Sequence, residues 1–241
     1  MFRLLVFSGL LFFLQASALS AEIRMSVGMA LPPYVISDQN KGIELDIVRE
    51  SLALKGHKIV PVYMPFRRVA SSFNSGATDG ALTVNESSAM KDAIYSDSHV
   101  TYQNVAISLA SRDYEINSIK DLVSYSIVAF QHATRYLGAE FAEMAKKNPA
   151  YIEKAQQHMQ ISLLFSKRID VVVLDINIYK YYRKLEKRVN TLLPVDIFEI
   201  FEPTHYKVAF RDKAIQADFN EGLRELRASG RYQEIIESYI E

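Results

Sequence analysis

The sequence predicts an α/β protein in which mostly parallel sheets are flanked by helices. Three observations carry that reading. Strand-like and helix-like segments alternate along the chain, and strand–helix–strand order at this spacing produces parallel pairing under covering helices. Ile169–Leu174 (IDVVVL), apolar but for Asp170, reads as a continuous buried strand. No repeat, low-complexity tract or Pro/Gly-rich linker interrupts the alternation.

Glu22–Gly28 (EIRMSVG) puts Ile23, Met25 and Val27 on one face and stops at Gly28, which predicts the first strand. Leu31-Pro32-Pro33-Tyr34 cannot continue it, because each proline fixes φ and lacks an N–H, so the chain leaves the sheet in an extended loop. Gly42–Gly56 carries Leu45, Val48 and Leu52 near helical spacing, and Lys58–Tyr63 (KIVPVY) is the next strand. A helix over Phe66–Ser75 ending at Gly76, a strand over Asp79–Val84 and a long strand over Val105–Ser111 follow. Ser124–Phe130 is strand-like, Thr134 to about Lys147 helical, and Ala155–Ser166 an amphipathic helix through Met159, Leu163 and Leu164. Helices over Asp175–Leu185, Lys213–Ser229 and Tyr232–Ile240 complete the pattern, with Ile169–Leu174 as the intervening strand.

The N-terminus carries its one early positive charge within Met1–Arg3 and then an apolar run, Leu4–Leu14. That run is short of the roughly 20 residues needed to span a bilayer, but suits a secretory leader. Ala16-Ser17-Ala18 and Ala18-Leu19-Ser20 offer the small-x-small cleavage pattern, so residues 1–20 are expected to be a signal peptide. With 28 basic and 28 acidic residues, no clustered basic excess points to nucleic acid. The absence of cysteine removes a disulfide scaffold, a thiolate metal site, a Cys nucleophile and a lipid anchor. His57, His99, His132, His158 and His205 have no metal-ligand spacing, and neither a Gly-x-Ser-x-Gly elbow nor a phosphate-cradling Gly-rich loop is present. Neither catalysis nor a cofactor is expected.

Five collinear stretches resemble the family 3 bacterial extracellular solute-binding proteins. They are Pro32-Pro33-Tyr34; Gly42-Ile43-Glu44-Leu45-Asp46-Ile47; Pro65-Phe66-Arg67-Arg68 leading to Ser75-Gly76-Ala77-Thr78-Asp79; Tyr95-Ser96-Asp97; and Lys167 to Asp175. The resemblance implies a two-lobed periplasmic binding protein type II fold, with lobe I formed by about 22–108 and 203–241 and lobe II by 109–202. It further implies a monomeric protein of a Gram-negative periplasm, without membrane insertion, that closes on a small polar solute and delivers it to an inner-membrane ABC permease. A sensor module for a membrane signalling partner and, on the same fold, a dehydratase acting on prephenate-like acids are the alternatives.

Ligands of open parallel sheets sit beyond the carboxyl ends of strands. Tyr34 and Phe66 are therefore expected as aromatic walls, with covering of the first loop and core packing as the alternatives. Asp175 would accept hydrogen bonds from an ammonium group, as the resemblance implies, or cap the helix that it opens. Thr83 and Thr134 would hydrogen-bond the solute, Thr134 beside a helix start that could receive a carboxylate, unless they serve as strand residue and cap. His132 is a further polar contact, whereas Asp46 and Asp79 read as structural. The family's Thr-x-x-x-Arg is broken here: Thr83–Met90 contains no arginine. Arg68, or Arg67, is the expected substitute, and Glu86 would line the site for a cationic or uncharged solute. Glu86 is also the one general acid that a dehydratase could use.

Overall fold

The computed structural model describes residues 20–29 and 31–241; apart from Ser20, the expected signal peptide lies outside the described residues. The first sheet holds β1 (Glu22–Gly28), β2 (Lys58–Met64), β3 (Gly80–Val84), β4 (Ile94–Tyr95), β5 (Val100–Tyr102) and β11 (Thr204–Phe210). Its order is β2-β1-β3-β11-β4, with β5 also on β11. The second holds β6 (Asn104–Leu109), β7 (Ile127–Phe130), β8 (Tyr151–Lys154), β9 (Val171–Asp175) and β10 (Val195–Phe198), in the order β10-β6-β9-β7-β8. Helices α1 (Ile43–Ala53), α2 (Val69–Asn74), α7 (Lys213–Ala228) and α8 (Arg231–Ile240) belong to the first lobe. The second lobe has α3 (Ala133–Tyr136), α4 (Gly138–Lys147), α5 (His158–Phe165) and α6 (Ile176–Leu185).

The sheets are mixed. β1, β2 and β3 pair in parallel, as do β7, β8 and β9, because each was laid down by a strand–helix–strand unit. β11 joins the first set antiparallel; β6 joins the second antiparallel through β9, and β10 pairs antiparallel with β6 in turn. The expected dominance of parallel pairing therefore holds only for three strands on one side of each sheet, β2-β1-β3 and β9-β7-β8. Sheet membership changes at Gln103, since Val100–Tyr102 pairs with Thr204–Tyr206 while Asn104–Ser108 already pairs with β9. The outgoing crossing thus precedes the boundary at 108 expected from sequence, and the chain returns through residues 199–203.

Three helix expectations are corrected. The helix expected from Thr134 to Lys147 is broken between α3 and α4 by Gly138, whose φ of +86° is left-handed. The helix expected over Ala155–Ser166 begins only at His158, and the segment before it, Tyr151–Lys154, is an edge strand. The helix expected from Phe66 opens as a 3-10 turn, Phe66–Arg68, and becomes α-helical at Val69.

One apolar cluster runs through both lobes: Leu45, Ile47, Val208 and Phe219 of the first are continuous with Val105, Ile107, Leu174 and Ile178 of the second. α1 lies so close to α7 that a β-carbon on Gly222 would stand 2.0 Å from the Ser51 carbonyl oxygen. Gly42 has a φ of +140°, and a β-carbon there would stand 2.3 Å from the Tyr34 carbonyl oxygen. The glycine thus lets the loop bearing Tyr34 fold onto the start of α1.

Candidate functional site

The parallel strands of the first lobe end at Gly28, Met64 and Val84, and those of the second at Phe130, Lys154 and Asp175. The two edges meet at the crossing. The Gln103 N–H donates to Asp175 Oδ2 at 2.9 Å, and its carbonyl accepts from the Ile176 N–H at 2.9 Å. The Gln103 side-chain amide donates to the Phe201 carbonyl at 2.8 Å, tying the outgoing crossing to the returning one.

Tyr34 bridges the lobes here. The first strand ends, the two prolines turn the chain, and the loop returns to α1 through Ile43 N–H to Pro33 O and Glu44 N–H to Tyr34 O. The Tyr34 hydroxyl donates to Asp175 Oδ1 at 2.9 Å and accepts from Asn177 Nδ2 at 3.1 Å. Its ring stacks on Tyr102 at 3.8 Å between centroids, and Tyr102 meets Tyr206 edge-on at 4.8 Å. Both Tyr34 and Asp175 are buried, at 0% and 2% exposure. Asp175 caps α6 as well, accepting from the Asn177 and Ile178 N–H groups. Burial raises its carboxyl to about 6 despite the donors from Ile178, Tyr34, Asn177 and Gln103. Burial likewise lifts the Tyr34 phenol well above its ordinary value, and the Asp175 charge adds to this.

Thr83 belongs to the same network from the first lobe. Its hydroxyl donates to Glu44 Oε2 at 2.7 Å, and Glu44 Oε1 lies 2.9 Å from His99 Nε2. Glu44 and His99 are completely buried. Thr83 adopts a φ of +57°, a left-handed conformation that costs a β-branched residue about 1–3 kcal/mol. Two buried polar atoms beside the network, His99 Nδ1 and the Tyr102 hydroxyl, have no hydrogen-bond partner among the described residues.

In the second lobe the donors around Thr134 hold a side chain of the protein itself. The Thr134 N–H and hydroxyl both donate to Glu153 Oε1 at 3.2 Å, and the His132 N–H donates to Glu153 Oε2 at 2.6 Å. The Tyr151 hydroxyl also donates to Glu153. Burial raises the Glu153 carboxyl, but the hydrogen bonds from Tyr151, His132 and Thr134 outweigh it and hold the group below its usual range.

The other expected residues lie apart from this network. Phe66 is half-exposed, not core, with its ring over the end of β1: a β-carbon on Gly28 would stand 2.7 Å from Phe66 Cδ2. Arg68 is exposed and lines a shallow groove with Tyr63, Met64 and Ser72 along β2, and its side chain makes no hydrogen bond or ion pair with Thr83 or Asp175 among the described residues. Glu86 forms an ion pair with Lys207 of β11, whose hydrogen bond holds the Glu86 carboxyl below its ordinary value. Ionised in this way, Glu86 is poorly suited to donate a proton.

Sequence reasoning missed Glu44, His99, Tyr102, Glu153 and Lys207 as members of the site. The spacing of Glu44 within α1 gave no sign of its burial, and Glu153 lies on a strand too short to carry an alternation, with partners at His132 and Thr134 that are distant in sequence. Among the described residues no cluster of three or more acidic, His or Cys side chains could hold a metal, and no helix is long and apolar enough to cross a membrane.

Comparison with known proteins bears on the family and the fold. Residues 23–241 match the bacterial extracellular solute-binding proteins, family 3. Among solved structures, an ancestral cationic amino acid solute-binding protein superposes with a TM-score of 0.71 at 18% identity, covering 91% of this chain and 96% of that one. The GluR0 ligand-binding core in complex with L-glutamate gives 0.68 at 17% identity, covering 91% and 98%. A histidine kinase sensor domain with similarity to periplasmic binding proteins gives 0.64 at 19% identity, covering 90% and 95%. A search of curated protein sequences finds no match.

Proposed function

Because the chain belongs to the bacterial extracellular solute-binding proteins of family 3, we propose that it is a periplasmic receptor that closes on a small polar solute and delivers it to an inner-membrane ABC permease. The observation that carries this reading is the meeting of two sets of strand ends at Gln103, where a first-lobe tyrosine and a second-lobe aspartate touch. Hinge bending would act at Gln103 and at residues 199–203, where the backbone passes between sheets. The protein acts as a monomer, exported by cleavage of its leader, and it is not an enzyme. The ion pair between Glu86 and Lys207 speaks against the acid that a dehydratase would need.

The test is a thermal-shift screen of amines, organic acids, amino acids and sugars, with mass spectrometry of solute released from the purified protein. A cognate solute at a hundred times its Kd stabilises by about 2.7 kcal/mol, a shift of several degrees. A well-folded protein that shifts with no probe and releases no solute sinks the reading. The likeness to a histidine kinase sensor domain supports a second reading, a sensor that reports the solute to a membrane partner. Reconstitution separates the two: a receptor stimulates solute-dependent ATP hydrolysis by its permease, whereas a sensor does not.

A further inference from the structure

Recognition of a buried ammonium requires a bare acceptor, and the buried carboxylates at the strand ends of both lobes are already engaged. Four carboxylates stand at these edges and on the helix entering them: Glu44, Glu86, Glu153 and Asp175. Glu44 is held by Thr83 and His99, and Glu86 by Lys207. Glu153 receives donors from His132, Thr134 and Tyr151, and Asp175 from Tyr34, Gln103, Asn177 and Ile178. An ammonium could bind Glu44 or Asp175 only by displacing an internal partner, and a buried group left unpaired costs on the order of 1–3 kcal/mol, while the exposed Glu86 already has its charge matched by Lys207.

Donors, by contrast, are in surplus at the same edges. Arg135 and Lys154, beside the ends of β7 and β8, form no ion pair among the described residues, and the Arg135 guanidinium lies 5.9 Å from the Tyr136 ring centroid. α3 follows the end of β7 directly, and β7 pairs with β8 so that Phe130 stands opposite Lys154, which places these residues together at the second lobe's strand ends. The Phe130 and Tyr136 rings stand 6.5 Å apart there and offer flat apolar faces.

Resting on the receptor reading above, we propose that the solute is a ring-bearing carboxylic acid without an amino group. Its carboxylate is taken by Arg135 and Lys154, and its ring lies against Phe130 and Tyr136. The chain's own donors, chiefly the Tyr34 hydroxyl on Asp175, keep amino compounds out.

Calorimetric titration of the full mature chain with matched probes tests this: phenylpyruvate, 3-phenylpropionate, L-phenylalanine and phenethylamine. The two acids are expected to bind at least tenfold tighter than the amino acid, with no heat from the amine. Arg135→Ala with Lys154→Ala should weaken the acids at least tenfold while melting temperature and circular dichroism stay unchanged. If that variant does not fold, the ranking of the four probes on the native protein decides alone. Tighter binding of the amino acid or the amine, for instance through the exposed Glu199 or Glu202 of the returning crossing, overturns the inference and leaves the receptor reading standing. Binding of none of the four probes, with an amino compound recovered from a cell extract, has the same result. An absence of any bound solute removes both.

Discussion

Asp175 is the residue at which charge, burial and interlobe contact coincide. Its carboxyl is raised from 3.8 to about 6 by burial, so between those values the folded protein binds more protons than the unfolded chain. The stabilisation from this group is complete below 3.8 and is lost as the pH rises through 6, an effect of roughly 3 kcal/mol at about 1.4 kcal/mol per unit. Urea unfolding from pH 8 down to pH 5 is expected to show stability rising through this group, and Asp175→Asn should flatten that slope. Glu44 poses a second residue-scale test. His99→Ala leaves its fully buried carboxylate with Thr83 as its one side-chain partner, and removal of one member of such a pair costs about 3–5 kcal/mol. Equilibrium denaturation measures it, and a loss below 1 kcal/mol would mean that the pair contributes little. The places of Tyr34, Thr83 and Asp175 near strand ends were legible from the alternation of elements. Their partners were not, because Glu44 and Thr83, or Tyr34 and Asp175, are joined by pairings across long stretches of chain that no local pattern encodes.

At the scale of elements, the helices and long strands follow their apolar spacing closely. α1, α7 and β9 form where the periodicity puts them, since each buries a face too large to satisfy any other way. The short edge strands β4, β8 and β10 were unreadable, because two to four residues carry too little alternation and their pairing is decided by neighbours. Glycines mark where elements approach most closely. Gly222→Ala would drive a β-carbon into the Ser51 carbonyl and force α1 and α7 apart, with an expected loss of about 1–3 kcal/mol in urea midpoint experiments. An unchanged midpoint would mean that the two helices slide without cost.

For the whole molecule, the continuity of the apolar cluster across both lobes matters more than the division into two sheets. A core shared between Leu45, Phe219, Val105 and Ile178 couples the lobes on unfolding. Scanning calorimetry is accordingly expected to show one transition, with calorimetric and van't Hoff enthalpies equal. Two resolved transitions would mean that each lobe keeps its own core. The mixed pairing follows from the same arrangement, for a strand that leaves one lobe and enters the other must run against the parallel units already there.

That only Gln103 separates β5 from β6 has a consequence for how the protein can change over time. Side chains alternate along an extended strand, so one residue added or removed there would invert the phase of everything downstream, exchanging the face of Val105 and Ile107 with that of their equally buried neighbours Ala106 and Ser108. Length variation is therefore tolerated almost anywhere on this surface sooner than at the crossing, which works as a ruler between the lobes.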